Sequence, residues 1–447
     1  MTASLSDLTA RLLDAAKKAG AEAADALAVS GSSTTIDVRQ GKLEQAERAE
    51  GTEIGLRVLM GTRQACVSAS DISDRTITAL AERAVAMARE APEDPTAGLA
   101  DPSQIARDWN LAALDLADAS PEPDAAALES DCRALESAAL SRPGITQVEA
   151  SAGYSARAMH LAASNGFAGG YARTSRSLSA VAFTGQGTGM ERDWSGESRT
   201  YQSDLPAAQG IGELAADRAL ARAGAVKPKT GTYPVLFDER VASSLIGHLL
   251  SAINGTSIAR GSSWLRDALG QQVLPKGLSV IEDPHRPRIS SSRPFDGEGL
   301  PTRRRAIVED GILTGWVLDL ATARKLGMQS TANAARGTSH PPSPSTSNID
   351  LTQGTRSRDD LIRDMGTGLL VTSMIGSTIN PTTGDYSRGA AGFWVENGQI
   401  TRPVNECTIA GNLRDMLLRL IPADDARAHL STRVPSCLID GLTLAGS

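Results

Sequence analysis

The stretch Tyr233–Ser263, YPVLFDERVASSLIGHLLSAINGTSIARGSS, constrains the fold more than any other part of the chain, because a strand runs into a helix with no loop between them. Pro234 to Phe237 form a short apolar run and Asp238 is placed to cap. Val241, Leu245, Leu249 and Ile253 then recur every four residues until Asn254-Gly255 stops the helix. A helix of this pattern docks one face on a sheet. In a zinc hydrolase such a helix carries two histidines and a glutamate about a turn apart, to hold the metal and activate a water. Here it carries one histidine, His248, and no glutamate after it.

The chain has 447 residues, more than one hydrophobic core usually serves, and at about 150 residues per domain two are expected. Residues 1–225 are read as an N-terminal α/β domain and 226–447 as a β-rich C-terminal domain. The segment Gly224 to Gly231, GAVKPKTG, is the best interdomain linker. Hydrophobic residues make up 41% of the chain and mean hydropathy is -0.18, which suits an ordinary packed protein. The net charge of -7 and an aromatic content of 3% argue against nucleic acid as a partner. Arg303-Arg304-Arg305 is read as solvated strand ends. Cys66, Cys132, Cys407 and Cys437 have no paired spacing and read as buried free thiols of a reducing compartment. The N-terminus has no uninterrupted apolar stretch, and no segment approaches the roughly 20 apolar residues of a membrane helix. A cytoplasmic protein with no membrane partner is expected.

In chain order, Leu5 to Ala19 read as a helix capped by Ser6. Two hairpins follow, one from Thr34 to Leu43 turning at Gln40-Gly41 and one from Glu53 to Ser70 turning at Gly61-Thr62-Arg63. Thr76 to Glu90 and Ala125 to Leu140 are helical, with a proline-punctuated connector between them. Three antiparallel strands are expected at Val148 to Ala156, Met159 to Ala163 and Tyr171 to Thr184. Ile211 to Ala223 form another helix. In the second half, hairpins turn at Asp310-Gly311 and Asn397-Gly398, and Pro435 to Leu444 give a last strand. Tight turns join most neighbouring strands, so the fold class is α+β, with two domains that are each mainly antiparallel sheet covered by helices.

Few residues carry recognisable chemistry. The five histidines, His160, His248, His285, His340 and His429, share no helix face with one another or with a glutamate, and His248 reads as a hydrogen-bonded core residue. There is no Gly-x-Ser-x-Gly elbow and no cysteine at a helix start. The acid pairs Glu282-Asp283 and Asp424-Asp425 read as solvated loop residues. The cluster Gly185 to Gly189 lacks the helix start that would make it a dinucleotide loop. No catalytic and no metal-ligating residue is assigned. The glycine-rich segment Gly376 to Gly398 is more informative, since its small residues leave backbone accessible to an extended peptide.

The blocks GLRVLMGTRQACVSASD (Gly55 to Asp71), the helix from Arg240 to Ser263, INPTTGDYSRGAAGFWVENGQIT, CTIAGNLRDML and PSCLIDGLTLAG together resemble the TldD/PmbA family, also called modulators of DNA gyrase. The resemblance spans nearly the whole chain, and the blocks come in the family order. In the TldD branch the helix carries a His-Glu-x-x-x-His zinc motif. Anchored on Arg260-Gly261-Ser262-Ser263, the ungapped register places Ile246, Gly247 and Ser251 at the three motif positions, with His248 outside them. The Cys-Gly-Lys segment of TldD-like chains is also missing, so the chain is similar to the PmbA, or TldE, branch. The resemblance implies a metalloprotease-like C-terminal domain and a subunit without a cofactor of its own. Zinc is expected in a TldD-like protease partner that completes a chamber for peptides or unfolded proteins. Asn380, Thr382, Gly384 and Tyr386 are expected to line that cavity. An independent hydrolase with an unrecognised site, and a noncatalytic peptide-binding homodimeric scaffold, stay open as alternatives.

Overall fold

The computed structural model describes residues 4–446. The first half runs α1 (Leu5–Lys18), β1 (Ala23–Arg39), β2 (Lys42–Met60), β3 (Arg63–Ala69), α2 (Asp74–Glu90), α3 (Leu111–Leu114), α4 (Ala125–Leu140), β4 (Ile145–Ala163), β5 (Ala168–Thr184), β6 (Glu191–Arg199) and α5 (Ala208–Ala221). Its strands form one antiparallel sheet in the order β3-β2-β1-β4-β5-β6. Residues of one face alternate as strand geometry requires. Ala24, Ala26, Ala28, Ile54, Leu56 and Val58 pack beneath α1 and α2, while Ile36, Val38, Val148, Ala150 and Ala152 pack beneath α4 and α5.

Several sequence expectations change. Ser4, not Ser6, caps α1: its hydroxyl accepts from the Asp7 amide while the Asp7 carboxylate accepts from the Ser4 amide, a reciprocal capping box. The expected short strands are parts of ribbons 17 to 19 residues long. Residues 42–51 of β2 are exposed on both faces, so no apolar alternation marks them, and backbone pairing with β1 alone carries the strand. The break expected between Ala156 and Met159 is likewise bridged by continuous pairing with β5. Gly187–Gly189 form a single 3-10 turn that feeds β6, so no helix start follows the glycine cluster.

The second half begins with β7 (Gly231–Phe237), α6 (Glu239–Ala252) and α7 (Gly255–Ala259). It continues through β8 (Val280–Glu282), β9 (Arg305–Glu309), β10 (Ile312–Leu313), α8 (Leu320–Leu326), β11 (Ala334–Ala335), β12 (Ser343–Pro344), β13 (Ile349–Leu351) and α9 (Arg358–Met365). It ends with β14 (Gly368–Ile379), β15 (Asp385–Glu396), β16 (Gln399–Asn412), α10 (Leu413–Leu418), β17 (Ile421–Pro422), β18 (Thr432–Arg433) and β19 (Cys437–Ala445). The main sheet has the order β16-β15-β14-β7-β19-β17, and Thr408 to Ala410 of β16 also pair with Thr443 to Ala445 of β19. That extra pairing closes five strands into a ring and removes their free edges. Pairing is mainly antiparallel; β7 with β14 and β13 with β18 are parallel. The turns at Gln40-Gly41, Asp310-Gly311 and Asn397-Gly398 all have both residues at positive φ, the backbone that lets a two-residue loop match strand twist.

The two halves meet on the other face of the first sheet. Leu27, Leu161 and Phe167 pack there against Phe295, Leu300 and Leu320, with Trp109, Phe167 and Phe295 in edge and tilted ring contacts. Two groups read from sequence as solvated belong instead to buried networks of the second half. Glu282 is 3% exposed and accepts from Arg305 Nε (3.0 Å), Asn333 Nδ2 (2.7 Å) and the Ser347 amide (2.6 Å), so of the three clustered arginines only Arg303 and Arg304 are solvated. Asp425 accepts from the Ser436 amide and hydroxyl, both at 2.7 Å. Sequence adjacency of acids says nothing of which one turns inward; that depends on the partners the fold delivers.

Candidate functional site

α6 starts where β7 ends. Asp238 caps it by accepting from the Arg240 amide at 3.2 Å, and its own amide donates to Val371 O at 3.0 Å, which ties the helix start to β14. The Asp238 carboxylate also receives Arg240 Nε at 3.0 Å and Arg358 Nη1 at 3.1 Å. Arg240 reaches on to Asp193 of β6 at 3.2 Å, and Glu239 pairs with Arg427 at 2.8 Å. These ion pairs wall a cavity of about 450 Å³ at the helix start, floored by Leu370, Thr372 and Phe393. Burial raises the Glu239 carboxyl above its ordinary range, opposed by the charge of Arg427.

The helix sends Ala242, Leu245, Ile246, Leu249 and Ala252 into the core of the second half. Ile246 is 0% exposed and offers only an alkyl group. Gly247 points the other way: a Cβ built there meets nothing within 4 Å. Ser251 is exposed, and its hydroxyl donates back to Gly247 O at 2.9 Å. These three positions are therefore split between core and open surface, as neighbours 100° apart on a helix must be.

His248 lies between the two faces, with its ring edge-on to Tyr386 at 5.9 Å and 72°. The expectation of a hydrogen-bonded core histidine needs correcting, because its Nε2 is buried without a partner among the described residues. Burial, reinforced by the charge of Arg388, pulls the imidazole down to about 4, so it is neutral near pH 7. No carboxylate among the described residues is hydrogen-bonded to it. Among the described residues no group of three or more His, Cys, Asp or Glu side chains comes together to hold a metal ion. The thiols are equally quiet: all four cysteines are free, and burial pushes Cys132 up to about 12 and Cys407 up to about 11.

Residues 380–384 connect β14 to β15, and Tyr386 is the second residue of β15. Asn380 Oδ1 accepts from the Thr382 and Thr383 amides at 2.9 and 3.2 Å, an Asx turn. Asn380 and Thr382 are exposed, whereas Gly384 and Tyr386 are buried. Gly384 has φ +81 and sits under Trp264, whose amide donates to Pro381 O at 2.8 Å. Tyr386 is 2% exposed, and its hydroxyl donates to Met374 Sδ at 3.4 Å. The backbone from Asp385 to Glu396 pairs on both sides, with β14 and β16, so it is less accessible than the glycine content suggests. Openness remains at the bulge between Ile375 and Thr378, where Ile375 is 77% exposed.

Family models match the chain in three consecutive pieces, described as PmbA/TldA metallopeptidase domain 1 (residues 24–88), central domain (118–223) and C-terminal domain (230–446). The metalloprotease PmbA of Escherichia coli O157:H7 is 37% identical over 446 residues, covering 98% of this chain and 95% of the relative. A crystal structure of a protein from Bacteroides thetaiotaomicron, assigned as a modulator of DNA gyrase, superposes with a TM-score of 0.91 at 29% identity, covering 99% of this chain and 98% of that one. TldE from Thermococcus kodakarensis shares the fold, with a TM-score of 0.86 at 19% identity over 98% of this chain and 100% of that one. The chain belongs to the PmbA/TldD metallopeptidase family.

Proposed function

We propose that this chain is a noncatalytic PmbA/TldE-like subunit of a two-component cytoplasmic zinc peptidase, acting beside a TldD-like subunit on peptides or unfolded proteins. One observation carries the reading. α6 is retained as a packed helix, yet positions 246, 247 and 251 supply an alkyl group, no side chain and a hydroxyl. A zinc ion needs three or four nitrogen, sulfur or carboxylate donors at about 2.0–2.3 Å, and this helix does not fit that demand. His248 alone, neutral and without an orienting carboxylate, cannot supply it. The zinc and the water-activating base then come from the partner. In this arrangement the exposed Asn380 and Thr382 face the chamber, and the buried Gly384 and Tyr386 hold their loop against Trp264 and Met374.

Metal analysis and peptidase assays of the chain purified alone test the first half of the proposal; stoichiometric zinc with proteolysis would sink it. Co-expression with a TldD-like partner bearing His-Glu-x-x-x-His tests the second. A stable complex that cleaves an unfolded protein supports the reading. A homodimer that ignores the partner but binds peptide would replace it with the scaffold alternative.

A further inference from the structure

The register of the first sheet brings two arginines face to face where no acid answers them. Arg157 of β4 stands directly opposite Arg173 of β5, and the next pair along the same face is Met159 with Tyr171. Like charges so placed repel, and neither arginine forms an ion pair among the described residues. Arg173 donates instead to the carbonyls of Ser290 and of Ser292, the latter at 2.9 Å. A third guanidinium, Arg336, arrives from the segment after β11, and its side chain is 2% exposed. Its Nη1 forms a buried ion pair with the Asp25 carboxylate, while Nε and Nη2 have no hydrogen-bond partner among the described residues. Asp25 is already held by Arg57, whose Nε donates to Oδ2 at 2.7 Å, so one carboxylate serves two buried cations.

These three arginines line a pocket of about 340 Å³ whose wall is otherwise Leu27, Val29, Met159, Tyr171 and the 337–338 backbone, with no carboxylate among the lining residues. Its lid is fixed, since the Thr338 backbone lies so close to Gly55 that a Cβ there would fall 2.2 Å from Thr338 O. Burial, and then the neighbouring Asp296, raise the Glu298 carboxyl above its ordinary range. The adjoining cleft of about 500 Å³ shares Arg157 and Arg173, but there Arg199, Arg288 and Arg427 are each paired with acids. Arg157 also borders the groove of Glu50 and Glu53 without forming an ion pair with either, and Arg336 shares Asp25 with Arg57, so the unpaired positive charge of the smaller pocket is that of Arg157 and Arg173.

We propose that this pocket binds a carboxylate of a peptide, with Arg157 and Arg173 as its anion-binding groups, Arg336 adding buried positive charge behind them, and Leu27, Val29 and Tyr171 as an apolar seat for the hydrocarbon next to the carboxylate. That the ligand is a peptide rests on the function proposed above; the anion site does not. Guanidinium groups pair with carboxylates through parallel N–H donors, and the seat has room for one residue.

The test is fluorescence anisotropy on the full chain without any partner or metal, so its outcome is independent of proteolysis. Three fluorescein-labelled hexapeptides of alanine and leucine are compared: one with a free C-terminus, its amide, and an amide with one internal glutamate. Binding of the free acid at least about tenfold tighter than the plain amide assigns the site to C-terminal carboxylates. Tight binding of the glutamate amide assigns it to acidic side chains. In either case Arg157→Gln and Arg173→Gln should each weaken binding about tenfold while leaving the circular dichroism spectrum unchanged. Arg336→Gln is the buried counterpart, read only if it folds. Equal affinity for all three peptides, no binding at all, or indifference to Arg157→Gln and Arg173→Gln would overturn the proposal.

Discussion

Replacing Gly247 by alanine should stabilise the protein, while replacing its neighbour Ile246 should destabilise it, and the contrast checks how α6 is seated. A glycine inside a helix costs roughly 0.5–1 kcal/mol relative to alanine, through the backbone freedom it gives up. At Gly247 nothing opposes that gain, since a new Cβ meets no atom within 4 Å. Ile246 is 0% exposed in the core of the second half, where truncation to alanine removes methyl groups and leaves a cavity, at about 2–5 kcal/mol. The two variants should therefore lie about 2.5–6 kcal/mol apart in opposite directions from the parent. For a unit of this size each kcal/mol moves Tm by about 2–4 °C, so Gly247→Ala should melt ~1–4 °C higher and Ile246→Ala several times that much lower. Near-UV circular dichroism melts, with urea midpoints beside them, read both. A harmless Ile246→Ala would mean that position 246 faces open space.

Three further outcomes follow from named contacts. The His248 imidazole lies at about 4 in the folded chain against an ordinary 6.5, so the unfolded chain protonates first as pH falls. Stability present above pH 6.5 should be lost between 6.5 and about 4, and a His248→Gln variant should show a shallower loss over that window in pH-resolved urea titrations. Gly384→Ala forces a side chain onto a φ of +81 with its Cβ 3.2 Å from Trp264, and should cost about 1–3 kcal/mol by the same measurement. Asp25→Asn leaves Arg57 and Arg336 buried without their shared counter-charge and should cost about 3–5 kcal/mol; an unchanged urea midpoint would show that the guanidiniums reach solvent.

Much of the local structure was legible because it depends on short-range rules. The helix after Asp238, the helices after Ser73 and Asp124, and the turns at Gln40-Gly41, Asp310-Gly311 and Asn397-Gly398 all follow from capping or positive φ. What escaped were features without a periodic signal. Residues 42–51 of β2 are exposed on both faces, and Glu282 and Asp425 look like any surface acid until their buried partners are known. Position 251 reads the same in sequence and in space, but only packing shows that 246 points inward and 247 outward. The Arg157–Arg173 pair lies 16 residues apart and becomes a pair only through the register of β4 with β5.

By itself the sequence determined the kind of elements this chain forms, the α+β class, and the absence of zinc-ligand side chains at positions 246, 247 and 251, because propensity, capping and residue identity are local properties. Tertiary structure alone decided which side chains come together: the ring closure of β16 on β19, the His248 nitrogen without a partner among the described residues, and three arginines converging on one pocket. Burial and charge are long-range sums over residues far apart in the chain, and no window of sequence contains them.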